Sequence, residues 1–280
     1  MPELPEVETI RQGLEDYLVG HVVENVEILH PGVLFGDVKV IRGQKVIKVR
    51  RIGKGLVIDL SRNYSVAIHI KLTGQLIYRA PKVQRLKVSK EKVGTVPNKF
   101  THIIFDLDKQ AKLYYNDQRR FGWMKILKTE DVMELSFFKN MGPEPFKDLT
   151  PTRFEMILRN KTTKIKPLLM DQTKIGGIGN IYANDALFKA KINPKRQAKS
   201  LSPSDTTNLY KAIISVMEKS FHEGGASELS FVNALGQEGN YQRHVLVYGR
   251  TGEKCPQCGS IIKRITLAGR GTFLCEKCQN

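Results

Sequence analysis

Two stretches of this 280-residue chain carry residue types that can do chemistry. The first is its start, Met1-Pro2-Glu3-Leu4-Pro5-Glu6. Met1 precedes a small residue, which favours its removal, and Pro2 would then carry the α-amine with a carboxylic acid next to it. An α-amine titrates near ~8, so a usable fraction is neutral at cellular pH. A neutral amine attacks a carbonyl-level carbon and forms a Schiff base. From a secondary amine the product is an iminium, charged at every pH and therefore an electron sink. Glu3 is the neighbouring general acid or base. The second stretch is Cys255-Pro-Gln-Cys258 followed, sixteen residues later, by Cys275-Glu-Lys-Cys278. Two such knuckles make a four-thiolate zinc site. Four thiolates fill a tetrahedral ion, so the metal is structural and lets a short segment fold with almost no core. Iron on the same thiolates is the alternative.

Three weaker signals concern phosphate and bases. In Lys174-Ile-Gly-Gly-Ile-Gly-Asn180 the glycines let a backbone approach a phosphate, and a helix with unpaired N–H groups starts at Asn180. The alternative is a tight turn between two helices. In Asn116-Asp-Gln-Arg119-Arg-Phe121-Gly122, basic residues beside an aromatic can fill a gap in a base stack and bond an orphaned base. The alternative is a β-turn with a core phenylalanine. Arg270, between Gly269 and Gly271 at the tip of a hairpin inside the cysteine module, is placed to grip a phosphate or to be a solvated turn residue. Lys54 and His69 add a positive and a donor group; each alone reads first as an ordinary surface lysine or a satisfied histidine, and only second as a site.

The elements that must position these groups follow from periodicity. Val7, Ile10, Leu14 and Leu18 recur at helical spacing, with Pro5 in the first turn, and the positive end of that helix favours a neutral amine at Pro2. From 22 to 115 the pattern turns to strands: Val26 and Ile28, 45–49, 56–60, 64–72, 102–107 and 112–115. Over 64–72, Tyr64, Val66, Ile68, Ile70 and Leu72 form one face and Ser65, Ala67, His69 and Lys71 a polar one. A two-sheet sandwich with the first helix against it results. Residues 80–99, with Lys82, Arg85, Lys87, Lys90, Lys92 and Lys99 against Glu91, read as an exposed mobile basic loop, either a solvated charge run or a loose phosphate contact. Prolines at 143, 145 and 151 mark a linker. Helices are expected from Thr150-Pro151, over 166–173 and 180–190, and from Ser202-Pro203 to Gly224-Gly225. The domains are thus 1–130, a linker 131–150, a helical domain 151–245 and a zinc module 246–280. The net charge of +17 calls for a polyanionic partner, most simply nucleic acid. No apolar run of membrane length and no secretion signal appear, and clustered cysteines imply a reducing compartment.

These motifs together resemble the formamidopyrimidine-DNA glycosylase and endonuclease VIII family. The resemblance spans the chain and rests on Met-Pro-Glu-Leu-Pro-Glu-Val-Glu-Thr, Asp117-x-Arg-Arg-Phe-Gly, Gly-Ile-Gly-Asn180-Ile-Tyr, Val-Tyr248-Gly-Arg and the terminal zinc finger. It implies an α+β fold: an N-terminal β-sandwich domain with flanking helices, a helix-two-turn-helix domain and a four-cysteine zinc-finger hairpin. It implies a bacterial, cytoplasmic, nucleoid-associated monomer acting on damaged double-stranded DNA, with one structural zinc. The activity implied is base excision of oxidised purines with strand nicking by β,δ-elimination, the damaged nucleotide being flipped into a pocket. On this resemblance Pro2 is the nucleophile and Glu3 the acid that assists ring opening. Lys54 assists the β step and contacts phosphate, and Arg270 assists the δ step. Asn180 and Tyr248 hold phosphates, and His69 and Leu72 are among the DNA-binding residues. Lys166 lies near the lesion pocket, Lys161 is a DNA contact, Arg119 faces the orphaned cytosine and Phe121 wedges the stack. The loop 224–242 closes over the base, and its length favours purines.

Three positions depart from the family pattern. Leu72 stands where a methionine usually plugs the void left by the flipped base, Phe100 where some relatives have a DNA-contacting histidine, and Asp185 where a glutamate is usual. Two rivals stay open: an oxidised-pyrimidine glycosylase of the same family, and a non-catalytic zinc protein that binds DNA without turnover.

Overall fold

The computed structural model describes residues 1–83 and 88–280. Two compact units divide the chain: residues 1–139 with 221–242, and residues 140–220 with 243–280.

The first unit opens with α1 (Leu4–Leu18), whose residues Leu4, Val7, Ile10, Leu14 and Leu18 are buried at the spacing the sequence shows. Nine strands follow: β1 (Val23–Ile28), β2 (Leu34–Phe35), β3 (Val46–Ile52), β4 (Gly55–Leu60), β5 (Tyr64–His69), β6 (Gly74–Arg79), β7 (Thr101–Leu107), β8 (Ala111–Asp117) and β9 (Trp123–Lys128). They form one sheet in the order β1-β7-β8-β6 and another in the order β2-β9-β5-β4-β3. Val26, Leu76, Ile103 and Phe105 of the first sheet and Val49, Ile58, Val66 and Ile68 of the second share one core with α1. The unit is thus the expected sandwich. Each such side chain contributes on the order of 1.5–3 kcal/mol by leaving water.

Three expectations for this unit are corrected here. The run 64–72 stops being a strand at His69, because Lys71 takes the left-handed conformation at φ 50°. Its second face is also not polar surface. Ala67 packs with Ile52, Val57, Val132 and Phe138, since a 3-10 turn over Thr129–Glu134 and the short α2 (Ser136–Lys139) cover that side of the sheet. The basic stretch 80–99 is likewise not simply an exposed loop. Val88, Val93 and Val96 pack against Ile77, Ile104, Tyr114 and Val232. Arg85, Lys87 and the side chain of Lys82 lie outside the described residues.

In the second unit, α3 (Pro151–Leu158) is capped by the Thr150 hydroxyl, which accepts the Arg153 N–H at 3.2 Å. Next come α4 (Ile165–Met170) and α5 (Asn180–Lys189). The first of these ends sooner than the sequence reading of 166–173, because the Asp171 carboxylate turns back to accept from the Thr173 N–H and hydroxyl. Helix α6 (Pro203–His222) stops where Gly224 and Gly225 adopt φ of 70° and 88°. A hairpin of β10 (Lys263–Leu267) and β11 (Arg270–Leu274) completes the unit. No helix among the described residues is long and apolar enough to cross a membrane.

Candidate active site and nucleic-acid-binding residues

Pro2 and Glu3 are buried at the start of α1, while Met1 is 43 % exposed. The Glu3 N–H donates to Glu6 Oε2 at 2.8 Å. The other oxygen of that buried carboxylate, Oε1, accepts from the Ala226 N–H at 2.8 Å. Glu6 therefore fastens the N-terminal turn to the loop 224–242. Sequence reasoning did not single it out, although Glu three residues after the helix-capping position is a recognisable signal.

Helix α1 is pinned along β3 by two contacts. Glu8 pairs with Arg51 at 2.9 Å, and Glu15 accepts the Val49 N–H at 2.7 Å. Glu8 is within about two turns of Pro2, so the pair brings the N-terminal end of α1 toward the β3–β4 hairpin. That hairpin's two-residue loop is Gly53-Lys54, with Gly53 at φ 57°, where the first loop position has to be glycine-like. Lys54 is buried. A Cβ at the following Gly55, the first residue of β4, would lie 2.6 Å from the Phe138 ring, so a larger residue there would have to displace that ring.

His69, at the end of β5, is also buried and meets the Phe137 ring edge-on, with centroids 4.5 Å apart. Burial pushes its imidazole down to about 3, and the charges of Lys71 and Lys54 push in the same direction. The ring is neutral at pH 7. Its Nδ1 accepts the Lys71 N–H at 2.9 Å, which leaves the proton on Nε2 as a donor.

The segment 117–122 is built around the buried carboxylate of Asp117. Its Oδ2 accepts from the Gly122 N–H at 2.8 Å and the Tyr115 hydroxyl at 3.2 Å. Its Oδ1 accepts from the Arg119 N–H at 3.2 Å and from the Thr73 hydroxyl. The Thr73 hydroxyl oxygen in turn accepts from the Arg119 N–H at 3.0 Å. One carboxylate thus fixes both the turn that carries Arg119 and Phe121 and the residue next to Leu72. Tyr115 is held well above the usual phenol range, first by burial and then by Asp117. Phe121 is 53 % exposed, and the Arg119 guanidinium lies over its ring at 4.6 Å. An exposed phenylalanine stacked by arginine presents a flat apolar ring and a cation together to solvent. The core alternative for Phe121 is not what the structure shows.

The remaining expected residues belong to the second unit. Between α4 and α5 the Gln172 side chain accepts the Gly177 N–H at 3.0 Å and donates to Ile178 O at 2.7 Å, which shapes the glycine turn ahead of Asn180. Asn184 donates to Asn180 O and accepts the Phe273 N–H at 2.8 Å, joining α5 to the hairpin. Asp185 is fully buried. Its carboxylate accepts three consecutive N–H groups, from Leu246, Val247 and Tyr248, at 3.0 to 3.1 Å. The Tyr248 ring packs edge-on against Phe273. Lys166 is 1 % exposed, and its amine donates to Gly271 O at 2.9 Å and Thr272 Oγ1 at 2.7 Å. It holds the strand next to Arg270. Arg270 itself is exposed and follows the turn Ala268-Gly269, both residues at positive φ. Lys161 is exposed just after α3.

The sulfurs of Cys255, Cys258, Cys275 and Cys278 all lie within 4.8 Å of one another, with Cys255–Cys278 at 3.8 Å and Cys258–Cys275 at 3.5 Å. A tetrahedral zinc with ~2.3 Å bonds needs sulfurs about 3.8 Å apart, so the set fits the ion. Hydrogen bonds from Ser260 pull the Cys258 thiol down to about 6, whereas burial and the neighbouring sulfurs push Cys275 and Cys278 up, so the charge of the ion itself must hold these two as thiolates. Around the knuckles Phe188, Val247 and Ile262 form the small apolar shell.

Three family models match consecutive parts of the chain. The formamidopyrimidine-DNA glycosylase N-terminal domain matches residues 1–124, the H2TH domain of that glycosylase 141–231, and the zinc finger found in FPG and IleRS 252–280. The formamidopyrimidine-DNA glycosylase of Pelotomaculum thermopropionicum is 39% identical, over 100% of this chain and 99% of its own length. That of Rickettsia africae is 37% identical over the same shares. The Lactococcus lactis Fpg protein in complex with an abasic site containing DNA superposes with a TM-score of 0.87 at 33% identity, covering 99% of each chain. By these matches along its whole length, the chain belongs to the formamidopyrimidine-DNA glycosylase family.

Proposed function

We propose that the protein is a bifunctional DNA glycosylase and abasic-site lyase that removes oxidised purines. The observation that supports this reading is that Pro2 and Glu3 are buried at the helix start with the Glu3 N–H fastened by Glu6, while Glu8 ties the same end of α1 to Arg51, three residues before the buried Lys54. Once the exposed Met1 is removed, the Pro2 amine meets the positive end of α1, which disfavours its protonated form. Its lone pair attacks C1′ of the damaged nucleotide, and the C1′–N bond to the base breaks with its electrons leaving on the base. Glu3 supplies the proton to the ring oxygen as the sugar opens. The resulting iminium acidifies C2′. Loss of a C2′ proton expels the 3′ phosphate, and a second elimination expels the 5′ phosphate.

Lys54 and Arg270 serve these two eliminations, and His69, Lys161, Asn180 and Tyr248 hold the backbone. Lys166 acts through the Arg270 strand. Leu72, Arg119 and Phe121 occupy the space of the flipped base and face its former partner. The zinc supplies only the fold of the hairpin. The protein acts on duplex DNA as a monomer in the bacterial cytoplasm, and its affinity falls steeply with salt because several phosphates are neutralised.

A second lesion class has specific support: one solved relative, Lactococcus lactis Fpg at TM-score 0.87, is in complex with oxidized pyrimidine containing DNA. The test is incubation with an 8-oxoguanine·cytosine duplex in borohydride, which reduces the iminium to a stable adduct. A covalent complex mapping to Pro2, and lost on Pro2→Gly, is the expected result. A protein with a free Pro2 amine and bound zinc that forms no adduct overturns the purine assignment. A parallel duplex with an oxidised pyrimidine then separates a pyrimidine glycosylase from a DNA binder without turnover.

A further inference from the structure

The segment between β6 and β7 is rich in lysine, yet Lys92 turns inward. Its side chain is only 12 % exposed and pairs with Glu238 at 2.9 Å. The same amine donates to Ser227 O at 2.5 Å. Ser89 adds two further ties. Its hydroxyl donates to Glu238 Oε1 at 2.6 Å and its N–H to Gly236 O at 2.9 Å. From the adjacent strand, the buried Gln75 amide donates to both Lys92 O at 3.0 Å and Ser230 O at 2.7 Å. Beneath these polar ties, Val88 and Val93 pack with Val232. Val88 and Val93 also close on Gly236, where an added Cβ would come within 3.0 Å of Val88. The loop 227–238 is therefore held at its start, middle and end by one short segment of the same unit. A cavity of about 570 Å³ lies between them, with Leu72 and Arg119 on one wall, Lys92 and Val93 on another, and Leu229 and Ser230 on the loop side. That volume is in the range of small-ligand sites, roughly 300–1,000 Å³.

We infer that residues 88–93 are a built-in brace that orders the loop 227–238 before DNA arrives, with Lys92 as the positioning residue for excision of the base. The inference rests on the proposed glycosylase reading, in which this loop covers the flipped base. A loop that contains Gly236 and is followed by Gly239 loses much conformational entropy when it closes. Bracing it in the free protein removes that cost from the binding step. Base excision needs the ordered loop, whereas elimination at a site that has already lost its base does not. The brace therefore acts on one of the two reactions.

The experiment compares wild type with Lys92→Met, Lys92→Arg and Glu238→Gln in single turnover. One substrate is an 8-oxoguanine·cytosine duplex and the other a preformed abasic site. Hydrogen exchange over 226–240 is followed in parallel. Losing charge-assisted bonds in Lys92→Met is expected to slow base release about tenfold or more. Abasic-site nicking is expected to stay within about twofold, and exchange over 226–240 to accelerate. Lys92→Arg restores base release, and Glu238→Gln falls between. Equal loss of both reactions, or no change in either, overturns the inference. So does unchanged exchange in a Lys92→Met protein that still nicks abasic DNA. If wild type itself releases no oxidised purine, the lesion assignment fails, and the brace is decided by the exchange data alone.

Discussion

Replacing Asp117 tests how the turn bearing Arg119 and Phe121 is held. Its two oxygens serve four donors: Thr73 and Arg119 N–H on one side, Gly122 N–H and Tyr115 on the other. In Asp117→Ala all four lose this acceptor, and the Arg119 N–H keeps only the Thr73 oxygen. The Thr73 and Arg119 groups reach water. The Gly122 N–H and the Tyr115 hydroxyl are buried, and each unsatisfied group costs about 1–3 kcal/mol. The total is about 3–5 kcal/mol once the cavity is included. In Asp117→Asn the amide must turn its NH2 toward one pair. It faces Thr73, whose hydroxyl can rotate to accept, and leaves the Arg119 N–H to the Thr73 oxygen and to water, at about 1–2 kcal/mol for the lost charge-assisted bonds. For a unit of this size, Asp117→Ala then lowers the melting temperature by roughly 10 °C and Asp117→Asn by roughly 3–6 °C. Trp123, the one tryptophan of the chain, lies just past the turn and reports this transition by fluorescence. Asp117→Asn should also narrow the rate difference between lesions opposite cytosine and opposite adenine, because the loosened residue is Arg119. Equal melting of the two variants, or a negligible shift for Asp117→Ala, refutes the reasoning.

Three further outcomes follow from the geometry. His69 titrates near about 3 when folded, below its ordinary value of 6.5, so the unfolded chain binds more protons between those values. Stability should be unaffected by this group above pH 6.5 and decline as pH falls toward 3; urea unfolding at pH 7 and 4.5 should show a shallower loss for His69→Gln. Stripping zinc with a chelator, or Cys258→Ser, should remove one metal per chain, melt the 252–280 hairpin by circular dichroism and weaken DNA binding, while the Trp123 transition stays in place. Asp185→Ala removes the acceptor of three buried or half-buried N–H groups, so it should cost about 2–4 kcal/mol in the second unit and raise the dissociation constant for duplex DNA. Retained affinity would mean that Tyr248 needs no such support.

The parts of this protein that its sequence alone determined are those set by short-range spacing. The apolar repeat of α1, the two cysteine knuckles, the Thr150 cap and the glycines that end α6 are each written within a few residues. Local sterics and ligand geometry act over that distance, so the start of the first helix and the zinc set could be read directly. What only the tertiary structure decided are pairings between distant residues: Glu6 with Ala226, Asp117 with Thr73, Asp185 with the segment before the finger, and Lys92 with Glu238. A buried carboxylate or ammonium has the same local pattern as a solvated one. Its partner is chosen by which chain segments the core brings together, and the cost of leaving it unpaired then makes that choice binding. The same cause explains why the second face of β5 looked polar and why 80–99 looked like free positive charge. Periodicity reports which side chains alternate, but the segments that cover them arrive from elsewhere in the chain.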